Sequence, residues 1–187
     1  MQGFDLISAL WCLFGIVWLI GWMRTKRTQQ RQPFARRLMY GVPVVIGWYF
    51  LSTDRAIFPW AQTRVLPRTT VLESVAVALT AAGIALAIWA RFYLGQNWSS
   101  AVSIKVDHTL IRSGPYRFVR HPIYSGLLLA ITGTALGRGR PIGVITIAMF
   151  WLAFRIKMQL EEEFMRKTFG AEYDQYASLT GALVPKL

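Results

Sequence analysis

Residues 120–156 read RHPIYSGLLLAITGTALGRGRPIGVITIAMFWLAFRI. Two apolar arms, residues 123–136 and 142–156, flank a tip at 137–141 that holds two glycines, two arginines and a proline. The first arm would be about 21 Å long as a helix, which is short for a full crossing of the hydrocarbon core of about 30 Å unless flanking residues extend it. The pattern predicts a tight helical hairpin that crosses most of the membrane, with Arg138 and Arg140 at the far headgroups.

The composition of the whole chain favours a membrane protein. Of 187 residues, 54% are hydrophobic and 16% are charged, less charge than a soluble domain carries. Mean hydropathy is +0.37, and three further apolar runs lie at 4–23, 38–51 and 71–94. We therefore predict an all-α integral membrane protein with five transmembrane helices. Residues 1–94 would form a three-helix scaffold, and residues 95–187 a catalytic region made of a loop, the hairpin and a C-terminal tail.

The net charge of +12 is better explained by membrane location than by nucleic-acid binding. The basic residues cluster between the apolar runs, above all at 24–37, and do not cover one soluble face. Cytoplasmic loops of membrane proteins are rich in Lys and Arg, so this loop is assigned to the inside. Alternation then places the loop at 95–120 and the tail from 157 on the same inner face. The expected location is the inner (cytoplasmic) membrane of a bacterium.

The cysteine and histidine content excludes two kinds of site. Cys12 is the single cysteine, so an intrachain disulfide or a cysteine metal cluster is impossible. His108 and His121 do not supply zinc ligands at the usual spacing, and no metal site is predicted. The first apolar run has no Lys or Arg before it and no small-residue cleavage site after it. We expect it to be a retained transmembrane helix and not a signal peptide.

Residues with ionisable or aromatic polar side chains lie at both open ends of the hairpin. His121 precedes Pro122, which suits the first turn of a helix. Tyr124 lies on that turn, and Gly126 permits close approach of another backbone or of a ligand. The three glutamates at 161–163 continue the second arm. The two arms are antiparallel and joined by a short tip, so their open ends are expected to meet, and a basic and aromatic cluster would face carboxylates at the membrane surface.

Two interpretations of this cluster stay open. Carboxylates can bind ribose hydroxyls or an ammonium group, and a sulfonium cation can rest against aromatic faces such as Tyr116 and Tyr124. Alternatively, Arg120 and His121 form a structural ion pair with the glutamates, or the glutamates form a solvated face. Arg91, near the end of the third run, either extends to the headgroups or binds substrate.

The order and spacing of these residues resemble a known family. The pattern is Asp107-His108-x-Leu110-Ile111-x-x-Gly114-Pro115-Tyr116, then Arg120-His121-Pro122-x-Tyr124-x-Gly126, then Glu161-Glu162, and last Phe169-Gly170-x-x-Tyr173-x-x-Tyr176. It is similar to the isoprenylcysteine carboxyl methyltransferases and their wider relatives, the phospholipid (phosphatidylethanolamine) methyltransferases, over about residues 95–187. The chain departs from the family in two places. The eukaryotic carboxyl methyltransferases have more membrane helices before the motif, whereas three precede it here. The Gly-x-Gly associated with the phosphatidylethanolamine methyltransferases is not evident in the third helix, which has only Gly83.

The resemblance implies S-adenosylmethionine as the cofactor, with S-adenosylhomocysteine as product, bound at the cytoplasmic face. Positions expected to contact the cofactor are His108, Leu110, Tyr116, His121, Pro122, Tyr124, Gly126, Glu161 and Glu162. The residues expected to act on the acceptor are Arg91, Arg120 and Glu162. A carboxylate acceptor is already ionised and would need a cation, Arg91 or Arg120. An amine acceptor would need a base, Glu162 or His121.

The first functional prediction is carboxyl O-methylation of an isoprenylcysteine-type amphiphile whose lipid part enters between the third and fourth helices. N-methylation of phosphatidylethanolamine-type headgroups is the alternative. A non-enzymatic membrane-binding protein is the third possibility. The expected partners are a lipid or lipidated acceptor and the surrounding membrane lipids, with no nucleic acid.

Overall fold

The computed structural model describes residues 2–23, 28–31, 33–53, 59–95, 98, 103–105 and 109–186. His108, one of the predicted cofactor residues, lies outside them, as does the basic segment 24–27. The helices among the described residues are α1 (Gln2–Met23), α2 (Phe34–Ser52), α3 (Pro59–Gln62), α4 (Thr70–Leu94), α5 (Pro122–Arg138), α6 (Ile142–Phe169) and α7 (Ala171–Leu179).

Local sequence signals explain where the long helices begin and end. The Thr69 side chain caps α4 by accepting a hydrogen bond from the Leu72 N–H at 3.2 Å. Gly139 ends α5 in the left-handed conformation, with φ of 62° and ψ of 32°, which glycine adopts at little cost. Pro122 occupies the first position of α5, as predicted.

Within the described part of the chain, three helical segments are long and apolar enough to cross a membrane: Asp5–Met23 of α1, α4 and α6. The helical character predicted from the apolar runs is confirmed. One addition is a short ribbon in which β1 (Thr28–Arg31) pairs antiparallel with β2 (Ser103–Lys105). The ribbon joins the loop after α1 to the loop after α4, so these two loops lie at the same end of the helical bundle.

Small residues bring α4 and α5 into backbone contact. A Cβ atom on Gly126 would lie 2.5 Å from the Gly83 carbonyl oxygen and 2.7 Å from the Ala87 nitrogen. One on Gly133 would lie 2.6 Å from the Thr80 nitrogen. Such approach is the usual role of small residues between helices in lipid. The prediction that a lipid chain enters between these two helices is wrong along this stretch, because the backbones leave no space.

The tip between α5 and α6 is bound to the segment that joins α2 to α4. The Arg64 Nη1 donates to the carbonyl oxygens of Gly137 and Arg138 at 2.8 and 2.9 Å. Arg138 in turn donates to the Ser52 and Thr53 carbonyl oxygens at 3.2 and 3.3 Å, which satisfies acceptors at the end of α2. The Arg138 guanidinium thereby ties the tip to the end of α2, and its place at the far headgroups stays a prediction.

The remaining helices surround α5 and α6. The Trp11 Nε1 of α1 donates to the Thr134 Oγ1 of α5 at 3.0 Å. The Gly47 backbone of α2 lies against the Phe150 ring of α6, which a Cβ atom would approach to 2.9 Å. Tyr124 of α5 stacks on Phe154 of α6 with ring centroids 4.9 Å apart. The start of α5 and the later half of α6 thus meet at the end of the bundle that holds the ribbon.

Candidate active site

The C-terminal tail holds the start of α5 by backbone hydrogen bonds. The Arg120 N–H donates to the Gly181 carbonyl at 2.9 Å, and the His121 N–H donates to the Ala182 carbonyl at 3.0 Å. The Ser125 hydroxyl donates to the Leu183 carbonyl at 2.6 Å. These bonds fix the backbone from which Arg120, His121 and Tyr124 project.

The predicted meeting of this segment with the glutamates of α6 is confirmed. The Arg120 Nε donates to the Glu162 Oε1 at 2.9 Å, and the His121 Nε2 lies 3.2 Å from the same oxygen. The His121 Nδ1 lies 3.5 Å from the Glu161 Oε2, and the Tyr124 hydroxyl donates to the Glu161 Oε1 at 2.6 Å. The Arg120 guanidinium, the His121 imidazole and the Tyr124 phenol therefore converge on two consecutive carboxylates.

The third glutamate does not belong to this cluster. The Glu163 side chain is 43% exposed, and it accepts a hydrogen bond from the Lys167 Nζ at 2.5 Å. Its other oxygen lies 3.8 Å from the Arg36 Nη1. Consecutive residues on a helix point about 100° apart, so one of the three must face solvent when the other two face the site.

The electrostatic surroundings of His121 favour its protonated form. The side chain is 8% exposed, and burial by itself lowers the pKa of an imidazole. Hydrogen bonds and charge interactions with Glu161 and Glu162 more than offset this, so the pKa of His121 is raised from its ordinary value of 6.5. A protonated imidazole donates from both ring nitrogens, and each of them faces a carboxylate.

Burial favours the protonated form of the tyrosine hydroxyls around the tail helix. Burial raises the pKa of Tyr116, in the 3₁₀ turn Gly114–Arg117, well above its usual range. Burial also raises the pKa of Tyr176 to about 12, and its hydroxyl donates to the Tyr116 carbonyl at 2.6 Å. Tyr173 is also buried on α7, three residues before Tyr176. The tail helix is thereby anchored over the 3₁₀ turn.

The two arginines expected to bind an acceptor carboxylate are both engaged by protein groups. The Arg91 side chain is buried, and its Nη1 and Nη2 donate to the Gly95 and Gly21 carbonyls at 2.7 and 2.6 Å. Its guanidinium lies 4.4 Å from the centre of the Trp98 ring. Extension of Arg91 to the headgroups is therefore wrong. The Arg120 Nη1 donates to the Ala177 carbonyl at 3.0 Å and also to the Thr180 carbonyl.

Three of the predicted cofactor positions, Pro122, Gly126 and Leu110, make none of the contacts with Glu161 and Glu162 described above. Pro122 is fully buried at the start of α5. Gly126 faces the α4 backbone. Two roles were predicted for it, close approach of another backbone or of a ligand, and the structure shows the first. Leu110 is partly buried in the segment before the 3₁₀ turn.

One residue of this region was missed by the sequence reasoning. The Lys157 Nζ lies 5.4 Å from the ring centres of both Tyr40 and Tyr124. The available signal was its position four residues before Glu161, which puts both side chains on one side of α6. The sequence reasoning treated Lys157 only as the start of the tail.

Comparison with known proteins identifies relatives of this chain. The family model described as phospholipid methyltransferase matches residues 72–172. The protein-S-isoprenylcysteine O-methyltransferase of Saccharomyces cerevisiae is 32% identical over 139 residues, covering 73% of this chain and 56% of that protein. A probable protein-S-isoprenylcysteine O-methyltransferase of Oryza sativa subsp. indica is 33% identical over 94 residues, 49% of each chain. The chain spans about half the length of the curated relatives it matches.

A solved structure shares the fold. The eukaryotic intramembrane Ras methyltransferase named isoprenylcysteine carboxyl methyltransferase superposes with a TM-score of 0.61 at 23% sequence identity. The match covers 78% of this chain and 52% of that one. Together with the three apolar helices, this shared intramembrane fold shows that the chain is an integral membrane protein.

Proposed function

The chain belongs to the phospholipid methyltransferase family, and we propose that it is an S-adenosylmethionine-dependent membrane methyltransferase acting on the carboxylate of an isoprenylcysteine-type amphiphile. The observation that carries the proposal is the convergence of Arg120, His121 and Tyr124 on Glu161 and Glu162, within the segment matched by the family model. The names of the yeast and rice relatives support this acceptor class.

The carboxylates suit the polar part of the proposed cofactor. The Glu161 side chain is 26% exposed, and each of its oxygens has one described partner, Tyr124 or His121. A carboxylate offers about four lone-pair directions. Glu161 thus keeps capacity for the ribose hydroxyls or the ammonium group of S-adenosylmethionine. The Tyr124 ring supplies a π face beside it, of the kind that stabilises a cation.

When bound, S-adenosylmethionine supplies a methyl carbon that forms a bond to a carboxylate oxygen as its bond to sulfur breaks, with the electron pair left on sulfur and no proton moved. The protein's contribution is positioning and exclusion of water. His121 and Tyr124 fix the orientation of Glu161, and Arg120 links Glu162 to the tail. The Tyr176 hydroxyl of the tail helix donates to the Tyr116 carbonyl, which holds the 3₁₀ turn against the tail.

N-methylation of phospholipid headgroups is the second candidate, favoured by the description of the matching family model. An amine acceptor must lose a proton before or during transfer. His121 is a weak candidate base, because its raised pKa keeps it protonated between two carboxylates. Glu162 is bound by Arg120, His121 and Arg166. These surroundings favour an acceptor that is already ionised.

We further propose five membrane crossings, with α2 and α5 completing the set given by α1, α4 and α6. The pairing of β1 with β2 and the contacts of the α5–α6 tip with residues 52–66 support the alternation this requires. The ribbon end, with the candidate site, would face the cytoplasm of a bacterial cell. The two regions of the chain, residues 1–94 and residues 95–187, would have different roles. They would fold together as one unit, because α4 packs on α5 and α2 packs on α6.

The test is methyl transfer from tritium-labelled S-adenosylmethionine by the detergent-purified chain. The acceptors are N-acetyl-S-farnesylcysteine and phosphatidylethanolamine. We expect label on the first acceptor that base releases as volatile methanol, which marks an ester. Base-stable label on phosphatidylethanolamine alone would replace the proposal with the second candidate. Binding of S-adenosylhomocysteine without transfer to either acceptor would support a non-enzymatic role.

A further inference from the structure

The two arms of the hairpin differ in length at the end that holds the candidate site. Helix α5 has 17 residues and α6 has 28, so they are about 25 and 42 Å long. Both extend from the tip, which is proposed above to lie at the far boundary of the membrane. The hydrocarbon core is about 30 Å thick, so it is nearly crossed where α5 begins, whereas α6 continues about 12 Å beyond it. The start of α5 therefore lies at the near boundary, and Phe169 lies outside it.

Helix α7 leads the chain back to that boundary. It follows Gly170, at the outer end of α6, and it ends at Leu179. Its nine residues are about 14 Å long, which matches the overhang of α6. The Arg120 Nη1 donates to the Ala177 carbonyl at 3.0 Å, and the Arg120 N–H donates to the Gly181 carbonyl at 2.9 Å. The end of α7 is thus bound beside the start of α5, at the level of the near boundary.

Aromatic side chains of α4 place the 3₁₀ turn at the same level. Trp89 and Tyr93 lie near the end of α4, are about half exposed, and make an edge-to-face contact with ring centroids 6.0 Å apart. The Tyr93 ring lies against Gly114, where an added Cβ atom would collide with it. Tyr and Trp on membrane helices concentrate at the headgroup level. The turn, and Phe118 directly after it, therefore lie in the headgroup layer.

The side chains that this junction exposes are apolar and basic. Leu179 and Val184 are 74 and 72% exposed, and Phe118 is 51% exposed. The exposed Arg117 guanidinium lies 5.3 Å from the centre of the Phe118 ring. The exposed Lys186 ammonium binds the last turn of α7 through a backbone carbonyl at 2.6 Å. Apolar side chains beside basic ones are typical of segments that lie on an anionic membrane surface.

We propose that these five residues form an interfacial patch that docks the C-terminal tail into the anionic headgroup layer of the protein's own membrane. The inference rests on the proposed crossings of α5 and α6 and is independent of the proposed reaction. The Gly181 and Ala182 carbonyls of the tail accept from the Arg120 and His121 N–H groups. Lipid that holds the tail therefore also stabilises the start of α5, and the candidate site becomes sensitive to lipid composition.

The first experiment measures the depth of the interfacial patch. The single cysteine is removed as Cys12→Ser, and a nitroxide is attached in turn to Leu179→Cys and Val184→Cys. In vesicles of phosphatidylcholine and phosphatidylglycerol, electron paramagnetic resonance measures collisions with oxygen, which partitions into lipid, and with a water-soluble nickel chelate. Ala171→Cys, exposed at the other end of α7, is the matched control, and Leu152→Cys, about 15 Å along α6, is the reference for the membrane centre.

We expect the patch labels to give oxygen-to-nickel collision ratios between the high ratio of the membrane-centre reference and the low ratio of the control. The second experiment measures hydrogen exchange of the Arg120 and His121 amides in nanodiscs with and without phosphatidylglycerol. Anionic lipid should slow exchange by about 5-fold for each basic side chain at the surface. Arg117→Gln combined with Lys186→Gln should remove this difference between the two membranes.

Four results would overturn the inference. Patch labels as accessible to the nickel chelate as the Ala171 label would show that the patch faces water or a soluble partner. Spin–spin broadening that disappears on dilution with unlabelled protein would show that a second copy covers the patch. Equal amide exchange in the two membranes would show that anionic lipid does not hold the tail. A Leu152 label that favours the nickel chelate would refute the proposed crossing, and the inference with it, while methyl transfer by the wild type would still stand.

Discussion

The Glu162 carboxylate binds three basic side chains of the site cluster. Removal of its charge therefore tests whether the cluster holds α5, α6 and the tail together. Its Oε1 accepts from the Arg120 Nε at 2.9 Å and the His121 Nε2 at 3.2 Å, and its Oε2 lies 3.3 Å from the Arg166 Nη2. The side chain is 15% exposed, so the pairing is mostly shielded from water. Glu162→Gln keeps the shape, removes the charge, and turns an amide N–H toward donors.

The expected loss is about 3 kcal/mol of unfolding free energy, because removal of one partner of a buried pair leaves uncompensated charge on the other. Denaturant titration of the detergent-solubilised protein, followed by tryptophan fluorescence, measures the loss. Hydrogen exchange locates it: the Arg120 and His121 amides, which donate to Gly181 and Ala182, should exchange faster.

The neighbouring Glu163→Gln is the matched control. Glu163 is exposed and its partners are Lys167 and Arg36, so its removal should leave both the unfolding midpoint and the exchange of the two amides unchanged. If Glu162→Gln behaves like this control, the cluster does not hold α5, α6 and the tail together, and the argument from its geometry is refuted.

The remaining predictions concern pH and helix packing. Because the pKa of His121 is raised in the folded protein, its stabilising contribution is complete below the ordinary value of 6.5 and is lost as pH rises through the folded value. Unfolding midpoints measured across that range should fall with rising pH in wild type and fall less in His121→Gln; parallel profiles would contradict the assignment. Gly126→Ala should destabilise the protein by more than about 2 kcal/mol, because its methyl group meets the Gly83 and Ala87 backbone. Gly41→Ala is the control and should not destabilise the protein, because no atom lies within 4 Å of the added methyl group. Equal unfolding midpoints for the two variants would show that α4 and α5 are not in contact.

Features set by local sequence were predictable. The apolar runs predicted α1, α2, α4 and α5 close to their observed bounds, because a membrane helix needs a continuous apolar stretch whatever it packs against. They also predicted the start of α6, which continues beyond its apolar run to Phe169. The meeting of the start of α5 with the glutamates of α6 was predictable, since a short tip between antiparallel helices brings their open ends together. The pairing of Tyr124 with Glu161 did not follow from counting, because Tyr124 lies 13 residues before the tip and Glu161 lies 20 residues after it.

Features set by distant partners were not predictable. Gly126 reads equally well as a ligand contact or a helix contact, and only the position of Gly83 on another helix decides between them. The commitment of Arg91 to two backbone carbonyls leaves no trace in the sequence, since carbonyls are present at every residue. The tail binds the start of α5 mainly through its backbone, for the same reason without a side-chain signal.

The central claim is that the meeting of α5 with Glu161 and Glu162 forms the cofactor site of a methyltransferase. Calorimetric titration of the detergent-folded chain with S-adenosylhomocysteine, in wild type and Glu161→Gln, tests it most directly. We predict measurable binding by wild type and an affinity lower by about 10- to 100-fold in Glu161→Gln, the loss of one charged hydrogen-bond acceptor. Equal affinity in the two proteins, or no binding by folded wild type, would contradict the claim.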